Sequence, residues 1–120
     1  MSVQARVNSL FGGSEVTPSI AATASGTIAI PPFATFINLT NSTGGSVTLS
    51  STIFSMPSFS RGRVLIFQNN SAQNIVFPNT ATPAVGQMVS GANVTLGQND
   101  ILAVFIRQDG SAVRLWSTDN

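Results

Sequence analysis

The sequence predicts an all-β domain, and three observations lead there. From Gly26 onward, short runs of β-branched and aromatic residues alternate with polar ones. Gly, Pro, Asn and Asp interrupt these runs at the close spacing typical of strands joined by turns. One stretch is also written twice: "TFINLTNSTGGSVTL", Thr35 to Leu49, matches "RVLIFQNNSAQNIVF", Arg63 to Phe77, without a gap. Together they predict an antiparallel β-sandwich or barrel, jelly-roll-like, built from repeated hairpins and carrying a short N-terminal arm.

The elements follow in order. Residues 1–25 read as an arm or linker and 26–120 as the β-sandwich domain. Within the arm, Val3, Val7, Leu10 and Phe11 recur at helical spacing, and Gly12-Gly13 follows as a stop. Such a strip either lies on the domain as a frayed end or edge strand, or docks on a neighbouring subunit; it is the first candidate interface. Thr27 to Ile30 is a short strand closed by Pro31-Pro32. In the first copy Ile37, Leu39, Val47 and Leu49 point to the core. Leu65, Phe67, Ile75 and Phe77 take their places in the second, and Asn69 takes that of Asn41. An even shift keeps each residue on its face, because strand side chains alternate. Ile53 to Met56 forms a strand between the copies.

Pro78 to Gly91 lacks strand periodicity, but Val85, Met88 and Val89 are expected to fold over the core. "ILAVFIRQDGSAVRLWS", Ile101 to Ser117, reads as a third hairpin, turned by Asp109-Gly110. Aligned on the first copy, it sends Ala103, Phe105, Val113 and Leu115 inward. Trp116, the sole tryptophan, is expected to close the open end of the core, with an interface as the alternative.

Composition narrows the function. Charged residues make up only 8 % of the chain, against about 25 % in ordinary soluble proteins. The surface must then be covered by the 16 Ser, 12 Thr, 10 Asn and 6 Gln. Low net charge, +1 here, favours association. The expectation is a homo-oligomer. With only arginines and four acids, the basic isoelectric point carries no nucleic-acid signal. No run is apolar and long enough to span a bilayer, and no basic start followed by an apolar block marks a secretory signal.

Catalysis and cofactors are not expected. The chain has no His and no Cys, so the common proton shuttle and the soft metal ligands are missing. Glu15, Asp100, Asp109 and Asp119 are scattered, and a paired-carboxylate mechanism needs two acids together. Asp109 suits its turn, and Asp100 suits a cap before a strand. Arg61-Gly62-Arg63 is the one charge cluster. It reads as a solvated entrance to a hairpin, or as a second candidate interface through Arg61 and Arg63.

The stretch from Gly62 to Trp116 resembles a β module found in tailed-bacteriophage virion proteins. The residues that carry the likeness are Phe67-Gln68-Asn69-Asn70-Ser71 running to Phe77, then Gly91-Ala92-Asn93-Val94-Thr95-Leu96, Asp100-Ile101-Leu102, and the ending Asp109-Gly110-Ser111 through Trp116. Trp116 stands later than the usual aromatic of that ending. Among such proteins, a small single-domain chain is most similar to a capsid decoration or cement protein. The resemblance implies a structural protein on the capsid surface of the virion, a homotrimer bound to the major capsid protein, with no membrane or nucleic-acid partner. The alternative from another class is a tail fibre or spike head module binding a host receptor or glycan.

Overall fold

The computed structural model describes residues 17–57 and 60–118. They are all-β, and no α-helix occurs among them. The strands in chain order are β1 (Ser19–Ala21), β2 (Ile28–Ala29), β3 (Phe36–Thr40), β4 (Val47–Thr48), β5 (Phe54–Ser55), β6 (Val64–Asn69), β7 (Ile75–Phe77), β8 (Met88–Val89), β9 (Val94–Leu96), β10 (Ile101–Ile106) and β11 (Ala112–Ser117). A six-stranded sheet runs β1-β3-β6-β10-β11-β8, a three-stranded sheet β4-β7-β9, and β2 pairs with β5 alone. The three sheets enclose one apolar core.

The duplicated stretch answers to this geometry, but not as hairpins. β3 and β4 lie in different sheets, as do β6 and β7. Each copy therefore turns a corner. The copies stack in parallel, β2 on β5, β3 on β6 and β4 on β7, so the chain makes two successive coils of three short strands. Antiparallel pairing is confined to the C-terminal half, where β7 meets β9 and β10 lies between β6 and β11. The expected antiparallel array of repeated hairpins is thus corrected: β10–β11 forms the one true hairpin among these copies.

Register explains why the buried set is nonetheless legible. Val47 pairs with Ile75, the partner the repeat implies. Ile37 pairs with Phe67 instead of the expected Leu65, because the connection before β6 is longer than the one before β3. The slip is even, so faces are kept. Ile37, Leu39, Val47, Leu49, Leu65, Phe67, Ile75 and Phe77 are all buried. Each sheet supplies one phenylalanine to the second coil. Phe54 stacks on Phe67 with centroids 5.2 Å apart, and Phe77 sits 6.4 Å and 6.0 Å from the two. Ile28 and Ile37 of the first coil pair with Phe54 and Phe67, so an aliphatic layer lies beside an aromatic one.

The third copy is inverted. Leu102, Val104, Ile106 and Ala112 are buried, while Phe105 and Val113 are half-buried and Leu115 and Trp116 are exposed. Ala103 is also buried, although it lies on the other face of β10. Two facts account for the inversion. β10 is apolar on both faces, so alternation carries no parity signal. The register also shifts between Ala103 and Val104, where Leu115 is an extra residue in β11. Trp116 does not close the core. Met88 packs in the core as expected, whereas Val85 is exposed. At the other end, β1 and the buried Ala22 fall within the stretch read as an arm or linker, and Ser19–Ala21 is the edge strand of the six-stranded sheet, paired with β3.

The corner after β3 and the corner after β6 are built alike. Asn41 Nδ2 donates to the carbonyls of Gly45 and Asn74, and its Oδ1 accepts from the Thr43 amide and hydroxyl. Asn69 Nδ2 donates to the carbonyls of Gln73 and Leu96, and its Oδ1 accepts from the Ser71 amide and hydroxyl. Each asparagine closes its own turn and reaches one carbonyl in the next layer. Both are buried, so these bonds fill groups that water cannot reach.

Gly86 marks a close approach between two stretches of backbone. It has φ +81°, and a Cβ there would run into the Phe54 carbonyl. Its own carbonyl accepts from the Phe54 amide and its amide donates to the Gly110 carbonyl. Gly86→Ala should destabilise the fold by about 1–3 kcal/mol through backbone strain alone, and more if β5 has to move. Urea unfolding of the variant checks this. A change under about 0.5 kcal/mol, the scatter of neutral surface substitutions, would show that β5 is not held there.

Candidate interaction surfaces

The three outer faces differ in chemistry. The two-stranded sheet turns Ala29 and Ser55 outward, and the three-stranded sheet turns out Thr48, Val76 and Thr95. The six-stranded sheet instead presents two apolar rows. Pairing aligns Phe36, Ile66 and Trp116, with the buried Ala103 between the last two, across four strands. The neighbouring row is Val64, Phe105, Val113 and Val89. The next row is mixed, with polar Asn38 and Gln68 beside Ile101. Val64 is 41 % exposed and Trp116 48 %. Neither apolar row contains a charged residue, and together they leave a sheet that is apolar on both faces. A facet of that kind is a candidate interaction surface.

A hollow of about 210 Å³ opens on this facet between Thr35, Phe36, Val64 and Ile66. Thr35 is buried, and its hydroxyl has no hydrogen-bond partner among the described residues.

The arginine cluster sits at the end of an interior strand of the same sheet, just before β6. Arg61 Nη1 donates to the Gln108 carbonyl, and its guanidinium lies against Gly110. Arg61 is thereby tied to the β10–β11 turn. Arg63 is half-buried next to Val64. Asp109 serves the turn as expected: its Oδ1 accepts from the Ser111 amide and hydroxyl. Those two bonds, with weaker help from Arg107 and Arg61, hold its carboxyl below the ordinary aspartate range. Asp100 is buried and caps the preceding turn, its Oδ2 accepting from the Gly97 amide. Asp100 and Asp109 flank β10 at opposite ends. Val3, Val7, Leu10 and Phe11 lie outside the described residues.

The sequence does not announce a second depression. It measures about 590 Å³ and is polar, and it runs between β9 and the end of β11. Arg114 reaches it because the register that runs from the β10–β11 turn places that residue opposite inward-facing Val104, and the bulge that follows brings Ser117 to the same side, opposite Leu102. The one visible signal is an arginine inside an otherwise apolar strand.

Among the described residues there is no group of three or more His, Cys, Asp or Glu that could hold a metal ion. No helix among them is long and apolar enough to cross a membrane. No family model, no curated protein and no solved structure matches the chain.

Proposed function

We propose that this chain is a non-catalytic structural protein that decorates and stabilises a tailed-phage capsid, and that it assembles through the apolar facet of its six-stranded sheet. The observation that carries the assembly role is the asymmetry of the three outer faces. Two are small and largely polar, and one carries Phe36, Ile66, Trp116, Val64, Phe105 and Val113 in register. Exposing such a facet costs about 25 cal/mol for each Å² left in water. Covering it on sister subunits and on the shell recovers that cost. The phage assignment rests on the resemblance of Gly62 to Trp116. We read the fold that presents the facet as a short three-sided β stack, finished by an antiparallel return.

Cementing works by multivalency. Several modest contacts per subunit, joined in a trimer, raise the effective concentration at each site. The facet's two rows hold no charge, so salt has little to screen. Particles carrying the protein should therefore resist heat better than stripped ones, and 1 M salt (a Debye length of about 3 Å) should not release it. Trp116→Ser should release it, since that side chain is exposed and its loss leaves the core intact. Counting copies on purified particles decides between the two readings. Many copies per shell fit cementing; a few copies confined to a tail tip overturn it in favour of receptor binding.

A further inference from the structure

We infer that the groove between β9 and β11 is a binding site for an acidic saccharide, a sugar bearing a carboxylate. The inference does not rest on the assembly role, because the groove and the apolar facet share strand β11 but no residue. The groove's volume of about 590 Å³ falls within the range of about 300–1,000 Å³ usual for small-molecule sites. Its lining does not suit an apolar ligand, for Ala92 and Val94 supply the only apolar side chains among mostly Asn, Ser and Thr.

Three of the lining side chains are oriented so that donors are left over, while the Ser90 hydroxyl donates to the Ala92 carbonyl and leaves an acceptor. Asn93 Oδ1 is occupied by the Asn79 amide, which leaves the Asn93 Nδ2 hydrogens. The Thr118 hydroxyl oxygen accepts from the Ile101 amide, which leaves its proton. Arg114 donates through Nε and Nη2 to the Ser117 hydroxyl at 3.2 Å and 2.9 Å. That pairing holds the guanidinium in place and leaves Nη1 for a ligand. A fixed cation surrounded by amide and hydroxyl donors is complementary to a ligand rich in acceptors that carries one negative charge. Hydroxyls of a sugar ring supply the acceptors, and a carboxylate supplies the charge. Asp100 sets the polarity of the groove's other end. It is buried there with the Gly97 amide on its Oδ2, so the anionic group belongs at the Arg114 end.

The test is NMR titration of the folded protein with trigalacturonic acid, and in parallel with neutral galactotriose and inorganic phosphate. The expected result is shifts confined to Asn93, Thr95, Arg114 and Thr118 with the acidic trisaccharide, weakened at least tenfold in Arg114→Gln. The neutral sugar should bind at least tenfold more weakly, and phosphate alone should not reproduce the pattern. Trp116→Ser, on the far face of the sheet, should leave binding unchanged; since that variant also tests the assembly role, the two readings fail separately. Absence of shifts in the groove with the acidic trisaccharide overturns the inference. So does affinity that survives Arg114→Gln, and so does a response to phosphate equal to that of the sugar.

Discussion

Phe67→Ala lowers the unfolding free energy by about 3–5 kcal/mol, the usual range for truncating a fully buried aromatic. Phe67 is wholly buried and lies nearest to both other rings, 5.2 Å from Phe54 and 6.0 Å from Phe77. Its backbone also pairs on both sides, with Ile37 of β3 and Leu102 of β10. Loss of the ring leaves a cavity between three sheets, and none of them can close it without breaking its own pairing. The ring contacts themselves add about 0.5–1.5 kcal/mol per pair. Chemical denaturation of the variant at unchanged m-value measures the loss. A cost below about 1.5 kcal/mol, the ordinary ceiling for volume-conserving core swaps, would mean that the three sheets do not share one core at this position.

Asn69→Leu gives a loss of about 3 kcal/mol or more, because each unsatisfied buried group costs about 1–3 kcal/mol. The substitution keeps the volume and removes every polar function. It leaves the Leu96 carbonyl unpaired in a buried site and removes the partners of the half-buried Gln73 carbonyl and Ser71 amide. Asn69→Asp separates the two halves of the argument. It keeps the acceptor for Ser71 but removes the donor to Leu96, the bond that joins one layer to the next. Asp should therefore be destabilising as well, and Leu more so. If both variants unfold like the parent, the asparagine corner does not fasten the coils together.

Much of this was legible in the residues, for particular reasons. The duplicated stretch gave the buried positions of both coils because their faces alternate, and parity survives an even slip. The pairing of Asn41 with Asn69 was legible as a correspondence, and the structure gives it a cause. What the spacing could not give was topology. A strand followed by a turn and another strand reads the same whether the turn closes a hairpin or rounds a corner, and only the parallel pairing across copies distinguishes them. The C-terminal copy misled because Ile101 to Ile106 is apolar throughout, which hides its inward face. The extra residue at Leu115 then moved Trp116 to the outer row and Ser117, a residue of the groove, opposite the buried Leu102. One bulge, invisible in the sequence, thus created parts of both candidate surfaces.

The apolar facet is the centre of the functional account, and self-association tests it most directly. Sedimentation of the pure protein at micromolar concentration, beside Ile66→Glu and Trp116→Ser, is the measurement. Ile66 stands in the middle of the facet, and a buried unpaired carboxylate there is strongly disfavoured in an interface. Trp116→Ser guards against a folding defect, because the residue is already exposed. The account predicts a trimer for the parent chain and monomers for both variants, with far-ultraviolet circular dichroism unchanged. A parent chain that sediments as a monomer and also fails to bind particles, or a trimer that both substitutions leave intact, would contradict it.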